Sequence, residues 1–554
     1  MSHPSIIWSI AGLDTAGGAG LSADQRAADA MGVHCCPVVA ALTAQHSRGV
    51  EAIFPVTAEQ LHAQLLALES DLPPRVIKTG LLGSVHAIEA LVRWVDHFRA
   101  HTPAGDDPHR QLALVVDPVL GASAGGSAFS NEAVLQAYRD LVLPRTTVLT
   151  PNRAEAARLL GRPGKHDQPH DEIPELASAL QGLGVRTVVV TGGDAPDAAH
   201  SLDWLASPQA QGWLAAPRVD TRHHHGTGCT FASGVASALA LGHVEADAVV
   251  LAKMLTHHAL MHAHAAGSGP GPVMARPGFA AGLHAGGAPL PWLGLGTELP
   301  WLLQAAQPTR FQPYTPPADG LYGILATSTQ LDAALQAGLR CLQLRHKAAA
   351  GVEPHIDASL AAAARHGAQV FINDHWQLAL SRPAPGGSLA GFQWGLHLGQ
   401  EDLLALSTAD QALLRQAADR VMLGLSSHSL WELARAAGCG ASYIACGPVK
   451  ATTTKDMPWL PQGPDNLRWW VQQAPVPVVA IGGLLTPAEL QMAAACGPAA
   501  VCVVRGLGTE LPDMQARLPA LLDAVCNGRS QGDDDASTVT SLPHPVLPFA
   551  NPIA

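Results

Sequence analysis

LYGILAT at residues 321–327 and RCLQLR at 340–345 are two short apolar runs with strand character, and the stretch between them suits a helix. The pattern then recurs. QVFIND (369–374), WGLHLG (394–399), RVMLGLS (420–426), SYIACGP (442–448), PVVAIGG (477–483) and AVCVVRG (500–506) follow, with helix-compatible stretches rich in Ala, Leu and Gln between most of them. Eight strands with intervening helices in roughly 200 residues is the arithmetic of a compact (β/α)8 TIM barrel, whose active site lies at the strand C-termini. Those ends carry Gln343, Arg345, Lys347, Asn373, Asp374, His397, Gln400, Asp402, Ser426, Thr452, Thr454, Lys455, Gly483 and Arg505. Turns always place one or two polar residues at strand ends. That does not account for carboxylates and cations gathered on one rim of a chain that is only 14% charged. Asp374 and Asp402 on neighbouring loops suit Mg²⁺, which takes a few carboxylates plus phosphate oxygens. Arg345 and Lys347 suit a diphosphate. Gly482–Gly483 and Arg505–Gly506 follow the last two strands, where barrels commonly hold phosphate.

Upstream, IIWSIAG (6–12), CCPVVAAL (35–42), RVIKTG (75–80), LALVVDPV (112–119), TTVLTPN (146–152) and RTVVVTGG (186–193) alternate with helical patterns such as 58–69 and 84–99. This predicts a mostly parallel sheet covered by helices, with ligands outside the strand C-termini. Asp14, Gln45, Lys78–Gly80, Asp117, Asn152 and Gly192–Gly193 fall there. The glycine-rich AGLDTAGGAGLSAD (11–24) is neither a dinucleotide fingerprint nor a Walker A loop, but it lets backbone approach a ligand closely. In HGTGCTFASGVASALALG (225–242), Gly226, Thr227 and Gly228 precede a helix of small residues whose N-terminus suits an anion. Cys229 reads either as a thiol of lowered pKa acting as a base or as a buried cysteine in a glycine turn.

The chain has 554 residues and a net charge of −12, which predicts two or three domains and excludes a polybasic nucleic-acid binder. No partner membrane is expected either, since no apolar run reaches the length of a bilayer span. The first residues lack a basic region followed by an apolar one, and the nine cysteines form no CxxC pair, so a reduced, cytoplasmic protein is expected. The histidine clusters at 223–225 and 257–264 lack a Cys or carboxylate at ligand spacing and read as surface histidines. Only six lysines occur (Lys78, Lys165, Lys253, Lys347, Lys450 and Lys455) among 33 basic residues. Gly and Pro crowd residues 267–318. The expected organisation is a domain over 1–279, an interdomain segment over 280–319 whose Trp and Leu residues pack on one of the domains, a barrel over 320–526 and a disordered tail over 527–554.

Residues 5–279 resemble the ribokinase-like family, and within it the hydroxymethylpyrimidine/phosphomethylpyrimidine kinases. The match lies in AGLDTAGGAGLSAD, TAQ (43–45), KTGLLGS (78–84), DPVLGASAGG (117–126), TPNRAEA (150–156) and HGTGC (225–229), in that order. The resemblance implies a three-layer α/β/α fold and phosphoryl transfer from Mg–ATP to an aminopyrimidine alcohol and then to its monophosphate. It implies that Gly12, Asp24 and Gln45 hold the pyrimidine. Asp117, Asn152, Glu155, Thr191, Gly193 and Thr227 would border the ATP phosphates, and Gly226, Gly228 and Cys229 would form the catalytic anion hole. A homodimer through this domain is expected. Thr191 stands where these kinases usually have a lysine. Residues 320–523 resemble thiamine-phosphate synthase, through LQLRHK, INDH, GLHLGQED, LGLSSHS, GPVKATTTK and AIGG. This second resemblance implies that Gln343, Arg345, Lys347, Asn373 and Lys455 bind the pyrimidine diphosphate and its leaving pyrophosphate, with Asp374 and Asp402 as Mg²⁺ ligands. Ser426, Thr452 and Thr454 would touch the substrates, and Gly483 and Arg505 the thiazole phosphate. Here the family usually has an acidic residue at His346 and often Ser at Arg505. Read together, the halves make and then consume one pyrimidine diphosphate. A barrel that binds without catalysing, and a kinase acting on pyridoxal, are the competing readings.

Overall fold

Ten strands build the first sheet: β1 (Ile6–Leu13), β2 (His34–His46), β3 (Gly49–Pro55), β4 (Val76–Thr79), β5 (Ala113–Val116), β6 (Val148–Leu149), β7 (Thr187–Val190), β8 (His200–Ala206), β9 (Gln211–Pro217) and β10 (Trp292–Leu293). Their order is β10-β9-β8-β7-β6-β5-β4-β1-β2-β3. The central strands from β2 to β7 run parallel, while β3, β8, β9 and β10 join antiparallel at the two edges. The parallel strands are the near-continuous apolar runs read from the sequence, as burial on both faces requires. Ile7, Trp8, Ile10, Leu114, Val116, Val188 and Val190 are all buried in this core. The chain is a computed structural model that describes residues 4–101, 112–121, 131–165, 168–193, 199–304, 309–348, 351–382, 392–452, 458–534 and 541–547.

The second unit is a closed barrel of eight parallel strands in sequence order: β11 (Leu321–Leu325), β12 (Cys341–Leu344), β13 (Gln369–Asn373), β14 (Gln393–Leu398), β15 (Met422–Ser427), β16 (Tyr443–Cys446), β17 (Val478–Ala480) and β18 (Ala500–Val503). β18 returns to pair with β11. Each strand lies within a run read from the sequence or within two residues of it. The interior is filled by Tyr322, Phe371, Met422, Tyr443 and Cys502. Glycines on two strands make room for these rings. A Cβ on Gly424 would stand 2.2 Å from the Tyr443 ring, and one on Gly395 would stand 2.7 Å from Phe371.

Two boundary expectations change. The segment over 280–319 does not belong to one side: the compact units divide between Leu299 and Pro300. Its first part adds β10 to the first sheet, with Leu293 fully buried. Its second part belongs to the barrel, where Tyr314 packs on Phe371 and Tyr443. The tail over 527–554 is not wholly disordered. The last helix runs Leu511–Asp534, and Arg529 on it donates to the carbonyls of Ala318 and Ala499. Residues 541–547 group with the first unit, where Val546 and Leu547 are buried, so apolar burial outweighs the polar composition around them.

Candidate active sites

The carboxyl ends of β1, β2, β5, β6 and β7 open into one cavity of about 460 Å³. Gly12, Gln45, Asp117, Asn152, Glu155, Thr191, Gly193, Gly226, Thr227, Gly228 and Cys229 all line it. The helix Thr227–Ala240 starts at its wall; the Thr227 amide donates to the His224 carbonyl, and Gly228 and Cys229, whose amides lack intrahelical acceptors, line the cavity. The turn leading into it depends on Gly226. Its φ is +85°, and a Cβ there would lie 2.3 Å from the Gly18 carbonyl oxygen. Gly228, by contrast, has open space where a Cβ would stand, a recess that fits a phosphate oxygen.

Asp24 does not line this cavity, which corrects the expectation that it holds the pyrimidine. It is fully buried, and its carboxylate accepts from Ser9 Oγ (2.6 Å), Lys78 Nζ (2.8 Å) and Ser233 Oγ (2.8 Å). Lys78 is equally buried. Burial works against its charge, but Asp24, Cys229 and Asp117 around it hold its pKa above the ordinary lysine value. The pair ties β4 to the helix Gly20–Ala30 beneath the cavity floor. Lys78→Met is therefore expected to destabilise the first unit by about 3–5 kcal/mol, because it strands a buried carboxylate. Denaturant unfolding checks this, and a loss under about 1 kcal/mol would contradict the buried-pair account.

Above that floor, burial raises Asp117 to about 6, with Lys78 opposing and Asp24 adding to the rise. The Cys229 thiol donates to Asp117. Cys229 itself is pushed up to about 12, first by burial and then by the charges of Asp117 and Asp24, against the pull of Lys78. The helix N-terminus favours a lowered thiol, while burial and the two carboxylates act in the opposite direction. Asn152 and Glu155 form a reciprocal cap: Asn152 Oδ1 accepts from the Glu155 amide (2.9 Å), and Glu155 Oε2 accepts from the Asn152 amide (3.0 Å). They shape the wall more than they offer free ligand atoms. Thr191 is pinned to the Pro151 carbonyl through its amide (2.8 Å). The lysine on this wall is Lys253, but it is committed to Asp203 (2.6 Å) and Ser201 Oγ (2.8 Å), and Asp203 also accepts the Gly192 amide (2.9 Å).

Two cavity residues were not among those expected to act. Asp14 accepts from the amides of Ala16, Gly18 and Ala19 and pairs with His225 Nε2 at 3.0 Å. Burial works against its charge, but His225 and the amides prevail and hold it below the ordinary aspartate value. His225 Nε2 also lies 3.3 Å from Gln45 Nε2. The signal lay in the sequence: Asp14 sits inside the glycine-rich stretch, and His225 immediately precedes GTGC.

In the barrel, Arg345, Lys347, Asn373, Asp374, Asp402, Ser426, Thr452, Gly483 and Arg505 follow or end their strands at the C-terminal rim. Thr454 and Lys455 lie outside the described residues. Gln343 sits below the rim, 2% exposed, with its amide nitrogen given to Tyr322, so it is a floor residue and not the rim contact expected. Asp374 holds a left-handed φ of +64° that turns the chain sharply after β13. Its pKa is raised by burial and by Asp402, which lies within hydrogen-bonding reach, while Arg345 and His375 pull it down. Gly483 has φ +73°, and a Cβ there would meet the Lys450 carbonyl oxygen at 2.5 Å. His397, buried on β14 near Arg345 and His428, is pushed down to about 3 by burial and then by those charges.

Among the described residues no group of three or more His, Cys, Asp or Glu gathers as a metal site. Two adjacent carboxylates are what Mg²⁺ needs when phosphate oxygens and water complete its shell, so Asp374 and Asp402 fit it. No helix among the described residues is long and apolar enough to cross a membrane.

Fold and sites thus define a two-site transferase, an α/β/α kinase unit joined to a TIM barrel. Residues 14–274 match the family model of phosphomethylpyrimidine kinase, and residues 324–507 that of thiamine monophosphate synthase. The chain is 31% identical over 495 residues to the chloroplastic thiamine biosynthetic bifunctional enzyme TH1 of Arabidopsis thaliana, covering 86% of this chain and 84% of that one. It is 36% identical over 270 residues to the hydroxymethylpyrimidine/phosphomethylpyrimidine kinase of Streptomyces coelicolor, which covers 49% of this chain and 94% of the relative. Among solved structures, an ADP complex of Bacillus subtilis pyridoxal kinase aligns with 49% of this chain and 98% of its own, at 27% identity and a TM-score of 0.44. The chain belongs to the family of bifunctional thiamine biosynthetic enzymes.

Proposed function

We propose that the first unit phosphorylates 4-amino-5-hydroxymethyl-2-methylpyrimidine and then its monophosphate from Mg–ATP. The barrel then joins the resulting diphosphate to thiazole phosphate, releasing pyrophosphate and forming thiamin phosphate. The observation that carries this is the pairing of two phosphate-adapted sites in one chain: a helix N-terminus with the Cys229–Asp117 pair, and a rim with Arg345, Lys347, Asp374 and Asp402. Purified protein given the pyrimidine alcohol, thiazole phosphate, ATP and Mg²⁺ is expected to yield thiamin phosphate. Absence of product under any order of addition ends the proposal. Pre-made pyrimidine diphosphate without ATP tests the barrel alone and separates a catalytic barrel from one that only binds.

In the kinase step, Cys229 serves as a proton shuttle. Its raised pKa makes a standing thiolate unfavourable, yet its hydrogen already points at Asp117. As the substrate hydroxyl attacks the γ-phosphorus, its proton passes to Sγ while the thiol proton passes to Asp117. The new O–P bond forms as the bond to ADP breaks, and the helix amides take up the developing charge. Asp117 must be ionised to receive the proton. The kinase kcat/KM is therefore expected to fall tenfold per pH unit below about 6, the value to which Asp117 is raised. A pH profile flat down to about 4.5 contradicts this role.

In the barrel, Asp374 and Asp402 would hold Mg²⁺, which would supply charge neutralisation for the leaving pyrophosphate, and Arg345 and Lys347 would bind that pyrophosphate. A homodimer through the kinase unit belongs to the same proposal. β3 is an edge strand, and the register pair Leu42 and Phe54 is 47% and 57% exposed. Sedimentation equilibrium tests it, and a monomer at micromolar concentration rejects it.

A further inference from the structure

The barrel interior holds a line of polar groups that the chemistry above does not use. Gln343, Tyr322, Tyr443 and His397 are each at most 4% exposed, and Ser426 stands above them at the mouth. Gln343 Nε2 donates to Tyr322 Oη at 3.1 Å. Tyr322 Oη and Tyr443 Oη are 2.8 Å apart, Tyr443 Oη and His397 Nδ1 2.7 Å, and His397 Nε2 and Ser426 Oγ 3.0 Å. The rings of Phe371 and Tyr314 pack around Tyr443, and the Gln343 amide, which donates to Tyr322, also reaches Tyr443.

The direction of this chain is set at its lower end. An amide nitrogen only donates, so Tyr322 Oη accepts there, and its single buried hydrogen finds its acceptor in Tyr443 Oη, 2.8 Å away. Tyr443 passes its own hydrogen to His397 Nδ1. A neutral imidazole that accepts at Nδ1 carries its hydrogen at Nε2, and Nε2 faces Ser426. Ser426 Oγ accepts that hydrogen, so its own hydroxyl hydrogen points elsewhere. The backbone of Ser426 is held as well. Its carbonyl accepts from Gln400 Nε2 at 2.6 Å, and Gln400 Oε1 accepts from the buried Arg435 at 2.9 Å.

We propose that Tyr443 and His397 are positioning residues of the synthase, a one-way hydrogen-bond chain that fixes the His397 tautomer and presents Ser426 to the substrate as a hydrogen-bond donor. This rests on the reading of Ser426 as a substrate contact. It also narrows what Ser426 recognises. The hydroxyl faces an acceptor, such as a phosphate oxygen or an unprotonated ring nitrogen, and not an amino group.

Two measurements on the full chain test it. The first is imidazole ¹⁵N NMR of histidine-labelled protein without substrate, with the His397 signals assigned by their loss in His397→Gln. The Nε2–H tautomer is expected. It is retained in Tyr322→Phe, where Tyr443 still donates to His397, and lost or mixed in Tyr443→Phe, which keeps the ring but removes the donor. An Nδ1–H tautomer or an imidazolium in the unsubstituted protein overturns the proposal whatever the activity. The second is synthase kinetics with pre-made pyrimidine diphosphate. Ser426→Ala is expected to lower kcat/KM by about 10- to 100-fold. Tyr443→Phe should lose most of that, and the double variant should match Ser426→Ala within about twofold. Losses that multiply in the double variant show a purely structural Tyr443 and overturn the proposal. An unchanged kcat/KM in Ser426→Ala refutes the substrate-contact reading instead, and the tautomer result then stands apart from it.

Discussion

In Cys229→Ala the kinase kcat is expected to fall by about 10²–10⁴, the usual worth of a positioned proton-transfer group. Formation of thiamin phosphate from pre-made pyrimidine diphosphate should keep its rate, because Cys229 lies in the first unit and the barrel carries its own rim of charges. The size of the loss follows from what remains. The alanine variant keeps the turn at Gly226, the recess at Gly228 and the helix amides, so binding and charge stabilisation survive. Only the path from the substrate hydroxyl to Asp117 is cut. Serine distinguishes the shuttle from a thiolate base. A hydroxyl can take one proton and release another, so Cys229→Ser should stay within about tenfold of the unsubstituted enzyme if the group relays. A base that works by being ionised would leave Ser as inactive as Ala, since a serine hydroxyl does not ionise in this range. Steady-state kinetics of the three proteins decide the matter, and an unchanged kcat in Cys229→Ala removes the cysteine from the reaction.

The path from sequence to site was uneven, for reasons visible in particular residues. The eight barrel strands are short, apolar and flanked by turn residues, and each appears at its expected place. The parallel strands of the first sheet were equally legible. β8 and β9 were not, since HSLDWLA and QGWLAAP mix exposed and buried positions and pair antiparallel at the sheet edge, where no continuous apolar run is needed. Asp14 and Asp24 stand ten residues apart in one glycine-rich stretch, and the sequence does not separate them. The fold does, because Asp24 lies on the inner face of the helix Gly20–Ala30, where Lys78 meets it, while Asp14 ends β1 at the cavity. Cys229 shows the same limit for energetics. Its position at a helix N-terminus is legible and favours a thiolate, but the burial and the carboxylates of Asp24 and Asp117 that oppose this come from elements far away in sequence. Lys78, one of only six lysines, opens the KTGLLGS motif, yet the fold commits it to a buried structural pair with Asp24.

Asp402→Asn is expected to lower the synthase rate about 10²-fold or more at fixed Mg²⁺, the scale of losing one preorganised electrostatic contact to a developing charge. More Mg²⁺ should recover part of the rate, because one carboxylate and the phosphate oxygens still bind the cation. A loss of fold could mimic the first effect but not the second, and stability supplies a further discriminant of opposite sign. Asp374 is raised above its ordinary value by burial and by Asp402. A carboxyl with a raised folded pKa binds its proton more tightly in the folded state. Its stabilising contribution is therefore complete below the unfolded pKa and is lost as pH rises through the folded one. At neutral pH in metal-free protein, the two carboxylates thus oppose folding of the barrel, and Asp402→Asn should raise its melting temperature. Below the ordinary carboxylate range Asp374 carries its proton in the folded and the unfolded state alike, and the gain should vanish. Added Mg²⁺ should reverse the order, stabilising the unsubstituted protein more than the variant, since binding to the folded state alone raises stability. Melting curves at neutral and acidic pH, with and without Mg²⁺, carry the test. A variant that is less stable at neutral pH without metal would mean that Asp402 serves the fold through its bond to the Gly399 amide and not a cation.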